Sequence, residues 1–307
     1  MTHLQEAAHD YVTLRRRMGF KFEEAAEILA SFVRHIEAAG ATAITTANAV
    51  VWARSSGQHP DWWAKRLSIA RGFANYLAGL EPGHEVPSEG LIPTRSHRAT
   101  PYLYSEQDVV QVMISARRLK SPWWALTVET AIGLLAVSGL RVGELVRLDV
   151  TDVDFDGGLV TVRSSKFGKS RLVPLHQTTL AALRHYDACR RNQQLGTETS
   201  AFFLSTTGER LRYDSLHRTF HRLVRQLGLR VPTTGKCPRV HDLRHSFAVA
   251  TLLAWYRSGV DVAARVHLLS TYLGHVDPVA TYWYLSAAPE LLALAAKRLE
   301  PDGESPS

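Results

Sequence analysis

Apolar residues recur at helical spacing from the first turn of the chain. Leu4, Ala8, Tyr11, Leu14 and Met18 fall on one helix face, with Thr2 and Gln5 spaced as a capping box before them and Gly19 placed to stop the helix. A second apolar stripe, Phe22, Ile28, Leu29, Phe32, Val33 and Ile36, ends at Gly40. A short third helix is predicted after Thr46, and Pro60 opens a fourth that buries Trp63, Leu67, Ala70, Phe73 and Leu77. The periodicity stops between Leu80 and Pro101. There Pro82, Gly83, Pro87, Gly90 and Pro93 lead into Arg95, His97 and Arg98, which predicts an interdomain linker whose cations suit either a DNA backbone or plain solvent.

Beyond the linker, Ser105 and Asp108 cap a helix, a long apolar helix runs from Pro122 to Gly139, and Arg141 opens another. The longest apolar stretch, residues 131–140, is too short to cross a bilayer, so a buried helix and no membrane role are expected. Asp156-Gly157-Gly158 signals a turn, and residues 159–163 and 171–175 alternate as strands joined by a hairpin through Lys166-Phe167-Gly168-Lys169. Most of the remainder, to about Leu299, has the pattern of helix. The expected fold is mainly α. A helical bundle occupies residues 1–80, a linker 81–100, and a mixed, mostly helical domain with one small antiparallel β-sheet 101–307.

Composition narrows the function. With 307 residues, 45% hydrophobic and 21% charged, the chain has the material for two cores and does not have the balance of a disordered protein. Its two cysteines, Cys189 and Cys237, cannot build a disulfide framework, and the amino terminus lacks the basic-then-apolar order of a signal peptide, so a cytoplasmic setting is expected. The net charge is +7 and unevenly spread: residues 1–99 carry 11 basic and 10 acidic residues, whereas residues 212–244 alone carry 8 and 2. A stripe of that kind suits a polyanion, because each cation that neutralises a phosphate releases condensed counterions; a solvated basic face is the plainer alternative.

Four segments carry candidate chemistry: Ser138-Gly139-Leu140-Arg141-Val142-Gly143-Glu144-Leu145; Lys166-Phe167-Gly168-Lys169-Ser170-Arg171-Leu172-Val173-Pro174-Leu175; His241-Asp242-Leu243-Arg244-His245-Ser246-Phe247-Ala248; and Tyr272-Leu273-Gly274-His275, followed nine residues later by Tyr284. Breaking a phosphodiester without a metal needs cations on the non-bridging oxygens, a nucleophile, and an acid for the departing oxygen, and these segments contain all three. In this order and spacing they resemble the catalytic domain of the tyrosine recombinase (phage integrase) family, across roughly residues 101–300. The first 80 residues match that family's core-binding bundle only in size and helical character.

The resemblance implies roles. Arg141 and Arg244 would hold the scissile phosphate, since a guanidinium fork stays charged at any working pH. His241, which at i, i+3 shares a helix face with Arg244, would assist the tyrosine hydroxyl as base. Lys166 takes the hairpin position of the family's general acid, with Lys169 as its rival. His275 matches the histidine that donates to the phosphate, and Tyr284 the nucleophile; Tyr282 is the competing tyrosine, about 200° away round a helix. Glu144 supports the fold around the arginine. Pro289 begins a last helix that docks either on its own domain or on a neighbouring protomer.

The expected partner is double-stranded DNA carrying a specific recombination site, bound by a homo-tetramer across two duplexes or together with related recombinases at the nucleoid. The amino terminus opens directly on the bundle, which leaves no room for an arm-binding domain and favours a simple Xer-like or transposon-borne member. No cofactor is expected. Gly168-Lys169-Ser170 resembles the end of a P-loop, but the glycine required five residues before Gly168 is Arg163. Cys237 and His245 suggest a metal pair, yet Pro238 interrupts the spacing and the phosphate chemistry already has its cations. Two alternatives stay open: a type IB topoisomerase-like enzyme, which uses a similar residue set, and a catalytically silent DNA-binding accessory subunit.

Overall fold

The computed structural model describes residues 2–57, 60–93, 100–163, 170–193 and 199–275, together with Thr281, Tyr282, Tyr284, Glu290, Leu291, Leu292 and Leu294. It separates into two units, Met1–Arg98 and Ala99–Ser307.

In the first unit, α1 (His3–Arg17), α2 (Glu23–Ala38), α3 (Thr46–Arg54) and α4 (Pro60–Ala78) surround a core of Leu29, Phe32, Ile36, Trp52, Leu67, Phe73 and Leu77. Thr2 and Gln5 form the expected capping box, and Thr45 with Asn48 forms a second one before α3. Two details go beyond the helical spacing. Tyr11 is the last fully buried residue of α1, and Leu14 and Met18 are exposed; the last turn carries Arg16 and Arg17 into solvent, where cations suit a helix C-terminus, and lays half-buried Arg15 over the Phe20 ring at 4.3 Å. Phe22 stands outside its helix as the N-cap of α2, with φ at 51°, and sets its ring edge-on against Tyr11 at 5.7 Å. Residues 81–93 run along this bundle. Arg71 Nε donates to the Pro87 carbonyl at 2.7 Å, the Glu85 amide donates to Ile44 at 2.8 Å, and Ile92 is buried in the core.

The second unit is organised round α6 (Pro122–Ser138), which buries residues on every side and packs against α5 (Glu106–Arg117), α8 (Gln177–Asn192), α9 (Tyr213–Gln226) and α10 (Asp242–Arg257). Ser121 caps α6, Pro122 occupies its first turn, and Gly139 ends it in the left-handed conformation at φ 60°. Short α7 (Val142–Leu145) follows, then β1 (Val153–Asp154), β2 (Leu159–Val162) and β3 (Arg171–Pro174) in an antiparallel sheet of that order, with Val160 between Val153 and Val173. The two anticipated strands each end one residue earlier than alternation suggests. Strand β1, at two residues, is too short for any period to reveal. The hairpin segment with Lys166 and Lys169 lies outside the described residues. Helix α11 (Val262–Leu273) ends at Gly274 with φ 67°, and the residues described beyond 280 are helical. Among the described residues no helix is long and apolar enough to cross a membrane.

Candidate active site

Two glycine-terminated helices, α6 and α11, deliver their C-termini to one place. At the end of α6, Gly139 is required twice over: its φ is positive, and an added Cβ would lie 2.6 Å from the Phe247 ring. The tight exit puts Arg141 at the N-cap of α7. Glu144, one turn on, folds back to accept the Arg141 amide at 2.9 Å and Arg141 Nη1 at 2.8 Å. Arg141 Nη2 reaches the Gly274 carbonyl at 2.9 Å. Arg244, in the first turn of α10 and only 2% exposed, donates Nη1 to Gly139 and Nη2 to Leu273, both at 2.6 Å. The helix ends left with orphan carbonyls by the backbone pattern are thus closed by arginines.

The imidazoles and the tyrosine meet beside these cations. His241 is the N-cap of α10, and its ring lies 4.9 Å from that of His245, which lies 5.4 Å from Tyr284. His275 follows Gly274, stacks near Tyr284 at 6.0 Å, and shares a 2.7 Å hydrogen bond between its Nδ1 and the buried Thr281 hydroxyl. Tyr284 is 2% exposed and packs with Ala248, Leu252, Leu269, Leu273 and Leu291, whereas Tyr282 is 51% exposed. Five of the residues singled out from sequence, Arg141, His241, Arg244, His275 and Tyr284, therefore gather in one region; Lys166 falls outside the described residues. Among the described residues no group of three or more His, Cys, Asp or Glu side chains is arranged to hold a metal. Two further residues take part for which the sequence suggests no role in this chemistry. His245 is a spacer ring between His241 and Tyr284. Arg171, within the second motif, has no role that the resemblance implies.

Charge in this region is strongly biased. Burial disfavours ionised Glu144, but hydrogen bonds from Arg171 and from the Arg141 backbone, with the charges of both arginines, outweigh it and hold the carboxyl at about 2. Burial, reinforced by Arg141, brings the Arg244 guanidinium down to about 10, so it remains a cation at neutral pH. Burial again, then the charges of Arg244 and Arg239, pushes His241 below the ordinary histidine range, which favours a neutral imidazole able to accept a proton.

Glu144 therefore has a measurable signature. Its pKa is depressed on folding from 4.5 to about 2, so its stabilisation is complete above pH 4.5 and lost as pH falls toward 2. Glu144→Ala, which strands two arginines without their carboxylate, is expected to destabilise the protein by about 3–5 kcal/mol and to flatten that acid limb in denaturant titrations. An acid limb as steep as that of the wild type would show that other carboxylates govern it.

The description of a known family fits this arrangement. Residues 105–290 match the model of the phage integrase family. A Sinorhizobium fredii protein described as an integrase/recombinase, y4rB, is 43% identical over 98% of this chain and 98% of its own length. The tyrosine recombinase XerC of Azotobacter vinelandii is 32% identical over 78% of this chain and 73% of its own. Among solved structures, the Tn1549 transposon integrase in complex with transposon right-end DNA superposes with a TM-score of 0.68 at 16% identity, covering 96% of this chain and 99% of that one, a likeness of fold. A family model spanning more than half of the chain and a relative this similar along almost all of it lead to one conclusion: the chain belongs to the phage integrase family of tyrosine recombinases.

Proposed function

We propose that the chain recombines DNA at a specific site by cutting and rejoining strands through Tyr284. The observation that carries this reading is the convergence of Arg141, Arg244, His241, His275 and Tyr284 beside the ends of α6 and α11. Arg141 and Arg244 offset charge on the non-bridging oxygens of the scissile phosphate, and His275 donates to it. Neutral His241 takes the proton as the Tyr284 oxygen attacks phosphorus. A 3′-phosphotyrosyl ester forms, the 5′ oxygen leaves with a proton from Lys166, and a 5′ hydroxyl of a partner strand reverses the step. One phosphoester replaces another, so no oxidant, reductant or nucleotide is consumed. The Tn1549 integrase was solved on transposon DNA, and by the same logic this chain binds a duplex at the nucleoid, four protomers to two duplexes, with both units engaging the DNA.

The test combines adduct formation with salt dependence. Incubated with nicked duplex containing its site, the wild type should form a protein–DNA adduct that survives denaturation and persists in EDTA. Binding should weaken by about 10³–10⁵ between 50 and 200 mM salt if about 6–10 phosphates are contacted. Relaxation of supercoils lacking any such site would instead mark a topoisomerase, and binding without adduct an accessory protein.

A further inference from the structure

Arg171, at the start of β3, is held as firmly as the two arginines assigned to the phosphate. Its Nη1 and Nη2 donate to the two oxygens of Glu144 at 3.0 and 2.8 Å, its Nε donates to the Tyr272 carbonyl at 2.7 Å, and its side chain is only 11% exposed. Together with the contacts above, this gives α11 an unusual ending. Three successive carbonyls, Tyr272, Leu273 and Gly274, are each taken by a different arginine: Arg171, Arg244 and Arg141. One carboxylate, Glu144, sits among the three cations with its side chain 2% exposed.

That carboxylate is a hazard for a phosphate grip. A phosphate needs the Arg141 donors, and Glu144 already accepts one of them at 2.8 Å. Left to itself, a carboxylate beside a single guanidinium adopts the bidentate pairing that both groups favour. Here the fork belongs to Arg171, which engages both Glu144 oxygens and leaves the Arg141 guanidinium only Oε1, shared, while Oε2 also accepts the Arg141 amide at 2.9 Å.

We propose that Arg171 is a positioning residue for strand cleavage. Its fork keeps Glu144 from capturing Arg141, and its bond to Tyr272 fixes the helix end on which Arg141 and Arg244 are aimed. This rests on the reading of Arg141 and Arg244 as phosphate ligands. Arg171 acts through them, since its Nε, Nη1 and Nη2 are all engaged within the protein. Removing it leaves Glu144 held by the Arg141 amide and Nη1 alone, free to exchange the amide for a second guanidinium bond and so neutralise charge where the phosphate needs it. Lysine at this position keeps a cation but has no fork.

The experiment measures single-turnover cleavage and, separately, DNA binding for wild type, Arg171→Lys, Arg171→Gln and the double variant Arg171→Gln/Glu144→Gln. Two substrates are compared: ordinary duplex, and duplex whose scissile phosphate is a methylphosphonate, which carries no charge on its non-bridging oxygen. Both single variants should bind DNA as the wild type does and cleave ordinary duplex about 10²-fold more slowly, the scale of a misaimed catalytic group. On methylphosphonate the deficit should largely vanish. The double variant should recover much of the cleavage rate on ordinary duplex without recovering thermal stability. Equal deficits on both substrates, or a cleavage loss that simply follows melting temperature with no recovery in the double variant, would overturn the proposal and leave Arg171 a structural strut. A separate control addresses the underlying reading: if Arg141→Ala cleaves ordinary duplex like the wild type, the phosphate grip itself is wrong and this proposal falls with it.

Discussion

Tyr284→Phe should bind a duplex carrying the recombination site as tightly as the wild type and form no covalent adduct with it. The ring of Tyr284 is packed among Ala248, Leu252, Leu269, Leu273 and Leu291, and phenylalanine keeps all of that apolar surface, so the fold and the neighbouring arginines are retained. What is lost is the oxygen proposed to attack phosphorus. Removing an essential nucleophile costs on the order of 10⁶-fold in rate, which in a gel assay means no detectable product. Tyr282→Phe serves as the matched control: that side chain is exposed and outside the cluster of rings, and its adduct yield should equal that of the wild type. An adduct that survives Tyr284→Phe and disappears with Tyr282→Phe would transfer the nucleophile two residues back along the chain.

Lys166→Ala should slow cleavage of ordinary DNA by about 10²–10⁴, the usual reach of a general acid, with binding little changed. The argument is chemical. A 5′ alkoxide is a poor leaving group and departs only with a proton, whereas a bridging sulfur at the same position leaves as a stable thiolate. A 5′-bridging phosphorothiolate duplex should therefore restore most of the rate to Lys166→Ala. It should not rescue Arg141→Ala or Arg244→Ala, whose missing cations act on the non-bridging oxygens. Rescue of Lys169→Ala in place of Lys166→Ala would move the acid three residues along the hairpin, and rescue of neither would remove the hairpin lysines from this part.

What the sequence made legible divides by the range of the interactions involved. Capping is local: Thr2 with Gln5 and Ser105 with Asp108 are bound within a single turn, and both boxes form as spaced. Helical periodicity tells which face of α1 is apolar, but not how far its neighbours extend: Leu14 and Met18 lie on that face beyond the core and are exposed. The chemistry-bearing motifs were legible one at a time, and their meeting was inferred from family resemblance rather than from any physical rule. Arg171 shows why. Its partners lie 27 and 101 residues away, and Arg244 is tied to a carbonyl 105 residues before it, distances at which no local pattern survives. Helical spacing puts His245 on the His241 face but does not tell that its ring stands between those of His241 and Tyr284.

The way α11 ends has one more consequence, for the safety of the DNA. Arg244 joins the terminus of α6 to that of α11, Arg141 joins α7 to α11, and Arg171 joins the sheet to both, so no pair of these elements can separate while the guanidinia keep their places. A chain in which α11 has peeled away loses the three carbonyls that aim these guanidinia, which are then held by Glu144 and Gly139 alone. If Arg141 and Arg244 are the phosphate ligands proposed above, strand scission should require α11 in place, and a partly unfolded copy should cut DNA poorly.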